Sequence, residues 1–535
     1  MREENQLALK PTGRTGIVNF LRHEVKLSYR GFYLSSLVFL VLPVIIFCLG
    51  YLKLGAGVPL AVIFAGIVFL SVMDCRRNSR GQQLADDSDC IRLQVSCIAG
   101  LAVTAIVLSY VTGIGEYIYT LQDHSYRRAI LRDLVNYDWP VIYNYNTQTN
   151  PEVVKIFGMI SGERAFSYYF IYWLPAALVG KTAGFAAADF FLLIWNSAGI
   201  FLTMTGLMKL AGRQTRIVPF VYIFFAGLDA IPNMINCIAP FDSWVWLQGW
   251  VPYLSYVANF TELANVFNQA VPCFLIMTLL LMSENTRSMG LTGGILFAYS
   301  PWAVIGLIPI VAVMLFKGDR SGADFKRSVR NILSSVNIFS AVTILFLFGS
   351  FYLANSGSLG YRGFTWTFYD NRLMFIPAYI VFIAIEVLPF VLMLYSREKN
   401  NPVFLASVLV LLIIPIYRVT EMNDFSMRCS MPGLFVISVC LMKMLAEEVV
   451  RDDRTRTRRN WFAAAAVTLA MILMMFPAFV DLYLIIGSQA TGGQSNREDI
   501  GSFGNINKAQ YAEVIQDQFF VENYKETFFF RYLAK

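Results

Sequence analysis

The chain has 535 residues, of which 56% are hydrophobic and only 15% charged, and its mean hydropathy is +0.54. Charge this sparse cannot coat the roughly three or four domains that a soluble chain of this length would form, so an ordinary soluble enzyme is excluded. The formal charge of +7 is confined to short runs between about a dozen apolar stretches, many near the roughly 20 residues that cross a bilayer core, and it carries no nucleic-acid signature.

The expected fold is therefore all-α: a polytopic transmembrane helix bundle of about 11 to 14 membrane segments, some of them half-spanning. Residues 1–31 read as a basic, partly amphipathic cytoplasmic lead, and residues 32–486 as the membrane domain. The first apolar run begins near Phe32 and no small-residue cleavage site follows it, so it is expected to be a retained span. Basic runs at Arg14 to Arg30, Arg76 to Arg80, Lys317 to Arg330 and Arg451 to Arg459 mark cytoplasmic flanks. Spans near 33–52, 58–73 and 95–111 then lead to a first outer loop at 112–166. Residues 334–354, 373–395, 403–417, 430–446 and 461–486 supply later crossings. They place a second outer loop at 418–429 and a short tail at 487–535 in the same compartment as the first loop.

The middle, residues 167–316, holds five apolar stretches and admits two topologies. The positive-inside bias favours the one that keeps KLAGRQTR (residues 209–216) inside. That topology needs broken or half-spanning helices, whose freed backbone must be buried in protein or line a wet cavity. The eight cysteines mostly lie within apolar runs, without a CxxC pair or a Cys/His cluster, and read as packing residues.

Ionisable groups crowd the start of the first loop. Glu116 and Asp123 lie close enough to a span to be partly desolvated, as a general base must be, although a solvated loop acid is the plain alternative. Residues 126–135 fit an amphipathic interfacial helix with Ile130, Leu131, Leu134 and Val135 on one face. Arg128 and Arg132 stand one turn apart on the other, able to grip a lipid-linked phosphate or simply to snorkel to headgroups. Arg127 falls on the apolar side, four residues after Asp123, and the pair would keep that carboxylate ionised. His124 is expected to be a hydrogen-bonding neighbour, and it joins Asp133 among the substrate-binding candidates.

Asp189, Asp229, Glu386 and Asp481 lie in apolar runs, where an ionisable residue is a functional candidate by default. Asp229, beside Pro232, is expected to share a cavity with Asp123, whereas Glu386 has no evident partner and Asp481 fits the water boundary. The second loop gathers Glu421, Asn423, Asp424 and Arg428, which suit an anionic, hydroxyl-rich ligand or a salt bridge pinning two helices. No Ser-His-Asp set, phosphate-cradling Gly-rich loop or HExxH pattern is present.

These residues resemble the GT-C glycosyltransferase superfamily, and more closely a group of bacterial membrane proteins related to it. The resemblance rests on Asp123, AILRDL (129–134), WPVIY (139–143), YWLPAALVGK (172–181), GLD (227–229), NQAVP (268–272), SPWAVIGLIP (300–309) and NDFSMRCSMP (423–432). It implies a GT-C-like fold in a bacterial plasma membrane, with a cytoplasmic N-terminus and an extracytoplasmic C-terminus. It also implies a polyprenyl-phosphate sugar donor among the membrane lipids, and an envelope glycan, lipid or protein as acceptor. Asp123 matches the general base and Glu116 is the runner-up, while Arg128, Arg132 and Arg428 would stabilise the departing phosphate. No Asp-rich cluster asks for a divalent cation, and no other cofactor is implied. His124 after the acid and the short tail depart from the family pattern. A lipid or polysaccharide transporter, with Asp229 and Glu386 as coupling sites, is the alternative from another class.

Overall fold

The structure is a computed structural model that describes the chain apart from residues 1–18, 80–89, 122, 148, 158–161, 239–246, 284–285, 317–321, 356–361, 421–422, 449–457, 492–499 and 507–518. It is 75% helical. Among the described residues six helices are long and apolar enough to cross a membrane: Tyr29–Tyr51, Leu54–Asp74, Phe185–Leu210, Ser335–Leu353, Asp424–Glu448 and Ala464–Ala490. A seventh crossing is possible if Arg372–Glu386 and Leu388–Glu398, bent by 54°, form one broken span. Four shorter apolar helices, Val95–Val111, Phe267–Met282, Pro301–Leu315 and Pro402–Ile416, fill the bundle between them.

The expected 11 to 14 segments thus resolve into fewer continuous crossings and several short pieces. The breaks fall where the sequence interrupts the backbone ladder, at Pro301, Pro389 and Pro402, because proline lacks the amide and disfavours a helical residue before it. The all-α expectation also needs amending among the described residues. Four small sheets occupy the bundle ends: β1 (Glu24–Ser28) with β2 (Cys90–Gln94), β3 (Ile142–Asn144) with β4 (Glu163–Phe166) and β9 (Phe520–Val521), β5 (Arg362–Phe364) with β6 (Tyr417–Val419), and β7 (Gly501–Ser502) with β8 (Asn505–Ile506).

Helix α1 (Tyr29–Tyr51) starts at Ser28, whose side chain accepts the Gly31 amide at 3.0 Å. Leu37, Leu40, Val44, Phe47, Cys48 and Tyr51 are buried at helical spacing, while Leu34, Val38, Leu42 and Leu49 stay exposed. An apolar helix with an apolar exposed face is what lipid rather than water calls for. Helix α2 (Leu54–Ser79) packs antiparallel to it, and α3 (Val95–Val111) follows β2 directly. Helix α9 (Asp424–Glu448) is the centre of the bundle, buried on nearly all sides. At Gly306 the helix Pro301–Leu315 presses on the Cys429 carbonyl so closely that a Cβ would overlap it, and only glycine permits that approach.

Two long helices define opposite ends. Helix α5 (Phe185–Leu210) has 26 residues and so spans about 39 Å, with Arg128 over Phe185 at its start and Lys209 bonded to the Cys90 carbonyl at its end. Helix α9 carries Arg428 near its start, and near its end the Ala446 carbonyl accepts from Arg213. KLAGRQTR therefore lies across the bundle from the first large loop, as the charge bias leads one to expect.

The loop 112–166 and the tail form one cap. Strands β3 and β4 come from the loop and β9 from the tail, and Phe166, Phe503, Phe519 and Phe520 are buried between them. The last residues return to the turn between the first two helices, where Lys53 N bonds to Leu533 O at 2.8 Å and Leu52 pairs with Ala534. The tail is therefore not a separate unit. The helix α4 (His124–Asn136) does bury Ile130, Leu131 and Leu134 as expected. Arg127 and Asp133 are buried as well, Arg127 against Tyr168 and Asn265 and Asp133 against the tail.

Candidate functional site

The site begins with a single buried acid. Helix α6 (Asn259–Asn265) is a two-turn helix after an irregular segment and one residue before the helix Phe267–Met282, held by Asn259 N to Phe225 O at 2.9 Å and Ala258 N to Gln248 Oε1 at 2.9 Å. It carries Glu262, 2% exposed. A buried carboxylate needs a partner, and Arg428 supplies it: Nη1 lies 3.1 Å from Glu262 Oε2, and Nη2 lies 3.5 Å from Asp424 Oδ1 one turn back. Asp424 is itself fixed by Thr420, whose hydroxyl donates to its Oδ2 at 2.9 Å and accepts its amide at 3.0 Å. Thr420 and Asn423 hold left-handed φ angles of 70° and 57°, which is rare for a β-branched residue such as Thr420 and marks a tightly constrained turn.

The carbonyl that ends α6 joins this acid to the first loop. Asn265 O accepts from Arg127 Nε at 3.0 Å, and Arg127 Nη1 donates to Tyr168 Oη at 2.8 Å. Arg127 Nη2 lies 3.8 Å from Asp123 Oδ2. Tyr168 and Asp123 both stand within electrostatic reach of Arg428. Two guanidiniums, three carboxylates and a phenol from four separate segments thus meet at the capped end. Asp123, with 46% of its side chain exposed, is the most open of the three acids to an incoming group.

The other expected site residues lie around this cluster or away from it. Glu116, at φ 57°, is ion-paired to Arg128, and its side chain is largely covered. Arg128 and Arg132 both stack over Phe185, at 5.2 and 5.7 Å from the ring centroid, and Arg132 donates to Gly501 O at 2.7 Å. The two arginines are thus turned to protein partners and do not project as a pair to headgroups. Asp133, expected to touch substrate, instead anchors the tail: it accepts from Tyr143 Oη at 2.8 Å and from Phe503 N at 2.9 Å. Burial pushes its carboxyl up to about 6 despite these donors. His124 is buried against Phe267. Burial, then the nearby Arg127 charge, pushes it down to about 4, which leaves a neutral ring at neutral pH. Glu421 lies outside the described residues.

Asp229 does not join Asp123. It is fully buried beside Glu386, whose Oε1 accepts from Trp250 Nε1 at 2.9 Å. Glu386, without an evident partner in the sequence, therefore has two. Gly227 passes Glu386 so closely that any Cβ there would overlap the carboxyl. Asp481 is partly buried, and its Oδ2 accepts from Thr261 of α6 at 2.6 Å. Among the described residues no three His, Cys, Asp or Glu side chains are grouped as metal ligands would be.

Glu262, Tyr168 and the Asn265 carbonyl are the members that sequence reasoning missed. Glu262 had a signal, because it is the single acid between Leu247 and Met282, and the rule that singled out Asp229 applies equally to it. Tyr168 and Asn265 had none, being ordinary polar residues near span ends. No known family model, curated protein or solved structure matches the chain, so the argument for its chemistry rests on these residues alone.

Proposed function

We propose that the chain is a membrane glycosyltransferase that draws its sugar from a polyprenyl-phosphate donor at the capped end of the bundle. The observation that supports this is the half-exposed Asp123 carboxylate beside a cluster holding Arg127 and Arg428. In this reading Asp123 takes the proton of an acceptor hydroxyl as that oxygen attacks the anomeric carbon, and the bond from that carbon to the phosphate oxygen breaks. The departing phosphate keeps the electron pair and is stabilised by the positive potential of the two guanidiniums. Glu262 and Asp424 hold Arg428 in place, and Tyr168 and the Asn265 carbonyl do the same for Arg127. Arg127 in turn stands 3.8 Å from Asp123 and so sets its position.

The test uses the purified full chain with a panel of radiolabelled polyprenyl-phosphate sugars. Asp123→Asn is expected to abolish donor consumption while donor binding persists. Turnover that is unchanged in this variant removes Asp123 as base, and an absence of donor binding by the wild type removes the reading. A carrier remains the second reading, supported by the burial of Asp229 beside Glu386, the residue at which the span 372–398 bends by 54°. It requires ligand movement across sealed vesicles that survives Asp123→Asn and is lost with Glu386→Gln.

A further inference from the structure

One ring of the C-terminal tail bears on the arginine of the candidate site. The guanidinium of Arg127 is a rigid planar fork. Its Nε donates to the Asn265 carbonyl at 3.0 Å and its Nη1 to Tyr168 Oη at 2.8 Å. Two fixed corners of a rigid plane leave the third little freedom, and Nη2 falls 3.8 Å from Asp123 Oδ2. The first corner rests on backbone. The second rests on a phenol, which is only as steady as the ring that carries it.

Tyr168 lies in an irregular stretch between β4 and the single turn Ile171–Trp173, where no ladder of backbone bonds directs it. Its ring is packed by two others, Tyr169 and Phe519, each with its centroid 4.5 Å away and tilted by 37° and 35°. Tyr169 is its neighbour in the chain, whereas Phe519 comes from the tail. Phe519 is itself well held. Its carbonyl accepts the Ser167 amide at 2.9 Å, and the next two residues pair with Phe166 and Ala165. Its ring, 3% exposed, stacks on Phe503 at 4.9 Å and on Tyr126 at 6.4 Å. Tyr126 directly precedes Arg127, so one tail ring packs against both segments that direct the guanidinium.

We propose that Phe519 is a positioning residue for the candidate site: through the Tyr168 ring it fixes the Arg127 guanidinium, and so sets the positive charge that position 123 meets. Docking of the tail thereby regulates the site, because its release frees Tyr168 and leaves Arg127 held by the Asn265 carbonyl alone at its other corner. The effect on turnover rests on the reading of Asp123 as a base. The placement of the charge does not.

The experiment reads that charge in the full chain. The thiol of Asp123→Cys, at a position whose native side chain is 46% exposed, is treated with an anionic and a cationic methanethiosulfonate, sulfonatoethyl and trimethylammonioethyl. Both rates are followed by mass spectrometry on the peptide containing position 123. Their ratio reports the local potential, since exposure and thiol reactivity enter both rates alike. Adding Phe519→Ala is expected to lower the ratio of anionic to cationic rate by at least about threefold, as when a unit charge moves a few ångström away near a surface. Tyr168→Phe is expected to lower it as far, and the two together no further, because changes along one path do not add. Phe519→Leu keeps the burial without the ring and carries the same test where the alanine variant fails to fold. A ratio unchanged by both Phe519 variants, or lowered additively with Tyr168→Phe, overturns the proposal. Equal rises in both rates mark a cap that has merely loosened and overturn it as well. A ratio that behaves as expected while Asp123→Asn leaves turnover unchanged upholds the positioning role and removes the transferase reading alone.

Discussion

Glu262 and Glu386 are equally inaccessible, each 2% exposed, yet one faces a guanidinium and the other a second carboxyl. Both lean on the same irregular stretch, which gives α6 to the first and Trp250 to the second. The Glu262 cluster is compensated: Arg428 and Arg127 answer its acids, and the network leads outward to Asp123. Among the described residues no cation pairs with Asp229 or Glu386. Two carboxyls buried side by side repel each other whenever both carry charge. The difference separates a polarised site, able to steady an anion, from an acid pair that has no counter-charge among the described residues.

Removing one partner from the compensated cluster is the most damaging way to break that contrast. Arg428→Met or Glu262→Leu leaves a buried charge alone and is expected to cost about 3–5 kcal/mol, while the double variant recovers most of it. Thermal midpoints in detergent give the comparison, and a double variant no better than the singles contradicts it.

A pH series on the cap comes next in size. His124 is held near 4 in place of its usual 6.5, so its contribution is complete above pH 6.5 and is lost as pH falls toward 4. Asp133 is held near 6 in place of 3.8, so its contribution is complete below pH 3.8 and is lost as pH rises through 6. The two windows overlap with opposite sign. His124→Gln should uncover the Asp133 slope, gaining about 3 kcal/mol relative to wild type between pH 7 and pH 4. Parallel stability curves for the two proteins speak against a buried neutral histidine.

Gly227→Ala tests the packing around the acid pair, and its added methyl should cost about 1–3 kcal/mol because the Glu386 carboxyl has to move. The smallest effect belongs to Glu386→Gln. An amide oxygen accepts from Trp250 Nε1 as the carboxyl does, so stability should change by less than about 1 kcal/mol. A loss as large as that at Glu262 shows that Glu386 depends on its charge and erases the distinction between the two clusters.

What the sequence disclosed was local or compositional. The i, i+4 spacing of Asp123 and Arg127 and the buried stripe of α4 follow from periodicity, and the place of KLAGRQTR across the bundle from the first loop follows from charge placement. The pairings that build the site do not. Glu262 and Arg428 are 166 residues apart, and Asp133 meets Phe503 across 370. No periodicity carries such a partner, because three-dimensional packing selects it. Full crossings could not be told from half-spans for a related reason: hydropathy registers an apolar run but not whether its helix continues through a proline such as Pro301 or Pro389.

The latch of Leu533 and Ala534 onto Leu52 and Lys53 has a bearing on biogenesis. The first hairpin of helices leaves the translocon long before its closing strand has been translated, so the cap around Asp123 stays open through most of synthesis. Closure of the cap is then a late event, reached only by molecules in which residues 519–534 have threaded back onto that first hairpin.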